Sequence, residues 1–240
     1  MNSISPFEKA KRYIETHSSD AGNLKVISKL GINPCITISR QTGAGADKVA
    51  NELINFFQPH LKEDLPEWTI FDHNLIKKVL EDHNLPLTLS KIMEEEKYSA
   101  IKSIANELLG GRPTSWTLVH KTTETILQLA HIGNVIIVGR GANIITSALK
   151  NSFHIRLIST IEDRVKHTME VYKLKEAEAV NFIGKDDEAR KDYLKTYFSK
   201  DIDDPLLYHM IINTHLISPK EAAELIGHSV MLRFPNEFDI

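Results

Sequence analysis

The stretch that most constrains what this chain can fold into is Ile36-Thr37-Ile38-Ser39-Arg40-Gln41-Thr42-Gly43-Ala44-Gly45-Ala46-Asp47-Lys48-Val49-Ala50. β-branched residues up to Ser39 predict a buried strand, and Val49, Ala50, Leu53 and Ile54 then recur at helical spacing. Between them, two glycines one residue apart permit backbone angles that a Cβ resists. Such a turn aims backbone N–H groups outward together at the positive end of a helix dipole, which favours an anion there. From the residues alone it is either an anion-binding loop or an ordinary strand-to-helix connection.

The stretch departs from the P-loop pattern GxxxxGK[ST], in which a lysine reaches the outer phosphates and a hydroxyl holds magnesium. If Gly45 is the last glycine, Arg40 stands for the first, Ala46 for the lysine and Asp47 for the hydroxyl. Lys48 lies two residues past the lysine position.

At 240 residues the chain suits one domain with room for a small lobe. A formal charge of −3 argues against a general nucleic-acid binder. No apolar run matches a membrane span and the segment Met1 to Tyr13 is polar, so a cytoplasmic location is expected. Cys35 is the single cysteine, and the eleven histidines show no HExxH spacing, so neither a disulfide nor a structural metal is expected.

Along the chain, Ser5-Pro6-Phe7-Glu8 starts a capped helix over residues 5–16, read as a docked leader outside the catalytic core, with a second short helical turn at Leu24 to Leu30. Strands are expected at Ile36–Ser39, Glu67–Asp72, Asn134–Val138, Phe153–Ile158 and His209–Asn213. Ligands of open parallel sheets sit beyond the carboxyl ends of the strands, which is where Asp72 falls; the alternative is that Asp72 only caps a helix over 74–81. Gly139-Arg140-Gly141 follows the third strand, either presenting the Arg140 guanidinium to a phosphate or forming an incidental turn. Residues 73–129 read as a helical insertion. The charged stretch from Lys173 to Tyr197 reads as a solvated helix pair, placed where a lid could close. A last helix runs from Ser218 to about Ile226, ahead of a tail expected to be an arm or unordered. Strands alternating with helices predict an α/β fold with a doubly wound five-stranded parallel sheet.

In order and spacing these segments resemble the cytidylate kinase-like family of P-loop nucleoside monophosphate kinases over roughly residues 33–227. The resemblance rests on Ile36 to Gln41 with Gly43-Ala44-Gly45, and on Phe71-Asp72 and Val138-Gly139-Arg140-Gly141-Ala142. Ile155 to Ile158 before Asp163-Arg164, and Asp201 to Thr214, add to it. It implies a P-loop kinase fold with a helical NMP-binding insertion and a lid, spanning 31–227 behind a helical extension at 1–30 and ahead of a tail at 228–240. It implies phosphoryl transfer from ATP to CMP or dCMP with Mg2+.

Carried across, the resemblance makes Gly43 and Gly45 the glycines that hold donor phosphates, in a donor loop of Ser39, Arg40, Gly43, Ala44, Gly45, Ala46 and Asp47. Asp72 and Arg140 fall to the acceptor, and Asp187 with Arg190 match the D-x-x-R element beyond the lid. Arg40 and Arg190 would offset charge on the transferring group, with Asp47 on magnesium. Ala46, Asp47 and Gly141 depart from well-characterised cytidylate kinases, which leaves two alternatives: a nucleotide-binding regulatory protein of low or no turnover, or a kinase with another small-molecule acceptor. The apolar residues Phe7, Ile14, Leu24, Val26 and Ile27 could cover the core or pair two subunits as a homodimer.

Overall fold

The computed structural model describes residues 6–19, 33–61, 67–72 and 117–238, with positions 74, 76, 105 and 108. The expected helical turn at 24–30 and, of the 73–129 insertion, nearly all of residues 73–116 lie outside the described residues.

Five strands, β1 (Cys35–Arg40), β2 (Thr69–Phe71), β3 (Val135–Val138), β4 (Ser152–Ile158) and β5 (Met210–Asn213), form one sheet in the order β2-β3-β1-β4-β5. Every pairing is parallel. The expected doubly wound parallel sheet is therefore what forms. β1 is central, with β3 and β4 on either side, so connections leave it in both directions and open a crevice at its carboxyl end.

Alternation along the strands divides the core between two faces. Ile36 and Ile38 of β1, Ile136 and Val138 of β3, and Phe153, Ile155 and Leu157 of β4 pack with helices α2 (Ala46–Phe57) and, far along the chain, Pro219–Arg233. Cys35, Val135 and Ile137 point the other way, into a cluster with the leading helix α1 (Pro6–Ser19) and α3 (Thr117–Ile132). On that second face β1 and β4 carry a polar row: Thr37 Oγ1 is 2.8 Å from His154 Nδ1, and Arg156 donates to Ser39 Oγ at 3.0 Å.

A short helix α4 (Ala142–Ile145) follows β3, and α5 (Ile161–Tyr172) follows β4 behind a Thr160 cap. Next comes α6 (Glu176–Phe198), one continuous helix of 23 residues rather than the expected pair. The chain breaks at Lys173, in the left-handed conformation, and no proline interrupts the run from Glu176 to Phe198. The last helix, α7 (Pro219–Arg233), opens on a Ser218–Glu221 capping box and continues past Ile226 to Arg233. Met231 and Phe238 are buried, so the described part of the tail is packed rather than an arm, because Phe238 stacks on Phe57.

Candidate active site

The glycine turn is held at its root before it opens. Gln41 N donates to Leu157 O at 3.0 Å, the Gln41 side chain accepts from Ser159 N, and Ala44 N closes a turn on Gln41 O. Gly43 and Gly45 both have positive φ, as the sequence predicts, yet they serve different ends. A Cβ on Gly43 would stand 2.4 Å from Arg164 O on α5, so this glycine permits close packing of helix on loop. A Cβ on Gly45 would meet nothing within 4 Å. Gly45 is also the residue that turns the chain into α2, whose first-turn N–H groups have no intrahelical acceptor.

That turn lines a cleft of about 1180 Å³ containing Arg40, the loop from Gln41 to Asp47, Asp72 and Arg190. A second cavity, of about 280 Å³, is lined by Ser39, Arg40, Arg140, Asp186, Arg190 and Tyr193 among others. Arg40, Asp186 and Arg190 belong to both and form the wall between them.

Arg40 ends β1 and lies against Gly139, where a Cβ would be 2.0 Å from a guanidinium nitrogen. Burial, and next the nearby Arg190, push its guanidinium down to about 10 from 12.5, so it remains charged at neutral pH. Arg140, at a positive φ of 57°, has its guanidinium 5.8 Å from the centre of the Tyr193 ring. It is also pushed down, by burial above all. Arg190 repels both Arg40 and Arg140 at the small cavity, and an anion there would relieve them.

The expected site residues are thus not all brought together. Gly43, Ala44, Gly45, Ala46 and Asp47 line the large cleft with Asp72 and Arg190, whereas Arg140 faces the small one, so Asp72 and Arg140 lie in different cavities. Ser39 is also in the small cavity, its hydroxyl accepting from Arg156 and from Tyr208. Lys48 is exposed and lines neither cavity, and Ala46 is buried, so neither supplies the cation that a P-loop lysine would. Asp47 is exposed at the first turn of α2, 3.3 Å from His167 Nε2.

Four contributors went unassigned in the sequence. Arg164 is buried on α5, its Nε donating to Thr42 O at 2.8 Å and its Nη2 to Asp187. Thr42 at the loop tip donates from its backbone N–H to Asp187 at 2.7 Å. Asp186 holds Arg190 at 2.6 Å. The leading helix, read as lying outside the core, also reaches the site: Lys9 and Arg12 line the large cleft. A signal was present for Arg164, because it occupies the buried stripe of α5 with Val165 and Thr168.

Fold and site together define a doubly wound parallel α/β protein whose central strand opens through a glycine turn into the ligand crevice. The family model of the cytidylate kinase-like family matches residues 35–216, and the chain belongs to that family. No curated protein matches it. An uncharacterized protein from Eubacterium ventriosum ATCC 27560 shares the fold at 19% identity and a TM-score of 0.62, over 82% of this chain and 98% of that one. Shikimate kinase from Bacteroides thetaiotaomicron aligns over 84% of this chain and 98% of its own, at 11% identity and a TM-score of 0.42, an agreement too loose to argue from. Among the described residues no helix is long and apolar enough to cross a membrane.

Proposed function

We propose that this protein is an ATP-dependent phosphotransferase that moves the γ-phosphate of ATP to a nucleoside monophosphate, CMP or dCMP. The observation that carries the reading is the shared wall of Arg40, Asp186 and Arg190 between a cleft over the glycine turn and a small cavity ringed by guanidinium groups. A donor triphosphate lies along Gly43 to Asp47, where first-turn N–H groups and the α2 dipole take its charge. The acceptor phosphate lies against Arg140, and transfer occurs at the wall.

An acceptor phosphate oxygen forms the new bond to the γ-phosphorus as the bond to the β–γ bridging oxygen breaks and ADP leaves. Such a reaction asks for alignment and positive charge more than for covalent help. Arg40 and Arg190, fixed in the wall, supply the charge that Ala46 cannot. For the metal, Asp47 offers one exposed carboxylate beside the donor loop, which fits the way Mg2+ binds through one or two carboxylates and substrate phosphates. When bound, Mg2+ would neutralise charge on the donor phosphates.

The test is incubation with ATP and Mg2+ against CMP, dCMP, UMP, AMP and GMP, with quantification of the diphosphates formed by the wild-type chain and by Arg140→Ala and Arg40→Ala. Selective CDP or dCDP formation is expected. Arg140→Ala should raise the acceptor KM about tenfold or more, and Arg40→Ala should lower kcat by at least about a hundredfold while ATP affinity holds. ATP binding with no product from any acceptor would favour a regulatory nucleotide-binding role.

A further inference from the structure

The tip of the glycine turn carries an anion from the protein itself. The Asp187 carboxylate accepts from Thr42 N and from Thr42 Oγ1, each at 2.7 Å, while its other oxygen accepts from Arg164 Nη2. Arg190 donates to Thr42 Oγ1 and lies 3.4 Å from the same carboxylate, and Asp186 Oδ2, 2.9 Å from Thr42 Oγ1, is the alternative acceptor for that hydroxyl's one proton. Arg164 also ties down the loop through Thr42 O. A backbone N–H, a hydroxyl and two guanidinium groups converging on one oxyanion are the donors a phosphoryl group uses, and Arg forks match carboxylate and phosphate alike.

We propose that Thr42, Arg164 and Arg190 form a phosphoryl-binding position that the Asp187 carboxylate fills in this structure and that an incoming terminal phosphate takes over. Asp186 stays paired with Arg190 through the exchange, as their i,i+4 spacing on α6 allows, so Arg190 is held at the wall while its second partner changes. The exchange swaps one anion for another among donors already in place. Asp187 is therefore a competitor of the phosphate as well as an anchor of α6. This inference rests on a phosphate-bearing substrate as proposed above, but its test does not require turnover.

Inorganic pyrophosphate and ATP are titrated calorimetrically into the full chain and into Asp187→Asn, Arg164→Lys and Thr42→Val, with melting temperatures confirming that each variant folds. Asp187→Asn keeps the side-chain shape and removes the resident charge, so it should bind both anions about tenfold more tightly. Arg164→Lys and Thr42→Val should each bind them about tenfold more weakly. Equal or weaker binding by folded Asp187→Asn overturns the proposal, as does unchanged binding by Thr42→Val or no binding of either anion by any variant. Tighter binding in Asp187→Asn, with no transfer by the wild-type chain to any acceptor, would sink the kinase reading and leave this one standing.

Discussion

At the scale of single residues, the two glycines of the turn separate by what surrounds them. Gly43→Ala adds a Cβ 2.4 Å from a backbone oxygen of α5 at a φ of 81°, so both strain and overlap oppose it, and a backbone atom cannot swing aside as a flexible side chain would. It should cost about 3 kcal/mol. Gly45→Ala, at a φ of 73° in open space, meets only the left-handed penalty of about 1 kcal/mol. Urea denaturation of the two variants, read as a difference in midpoint at unchanged slope, checks the ordering. The glycine pattern made the turn legible in the sequence. It could not show which glycine packs against a helix and which has open space around it, because the Arg164 partner of Gly43 lies far along the chain, on an element beyond β4.

The same limit acts on whole elements. The strand runs and the β1 turn are readable because their signal is local, but α6 reads as a solvated pair when its charges are counted rather than placed. Its buried residues are Ala179, Ile183, Leu194 and Phe198, and Asp186, Asp187 and Arg190 fall between them at the spacing that continues the stripe. Charged groups at positions a helix would otherwise bury are the mark of a site. Placement also decides α1: Ala10, Tyr13 and Ile14 are buried, Tyr13 meets Phe71 of β2 edge to face, and its hydroxyl donates to Gly133 O. Tyr13→Phe leaves that carbonyl without its side-chain donor and should cost about 1 kcal/mol. It should also speed amide hydrogen exchange in α1 relative to β1, whereas equal protection in both elements would mean that the helix is held by its apolar face alone.

For the molecule as a whole, the polar row between β1 and β4 sets how stability responds to acid. His154 is buried beside Thr37, with the ring of His209 4.9 Å away. Burial above all, then His209 and Arg233, push it down to about 4, and His209 is lowered as well, chiefly by burial. The folded chain thus keeps His154 neutral where the unfolded chain, titrating near its ordinary 6.5, takes up a proton. Stability from this group is complete above the unfolded value, falls as pH drops from 6.5 towards 4, and is flat below. The shift corresponds to at most about 3 kcal/mol across that window. Urea midpoints measured between pH 7 and 4.5 should decline with a slope that His154→Gln reduces, because the substituted side chain binds no proton in either state. A slope that persists in full in His154→Gln would move the acid sensitivity to the neighbouring His209, which burial lowers as well, and a second variant, His209→Gln, would then be the one that flattens it.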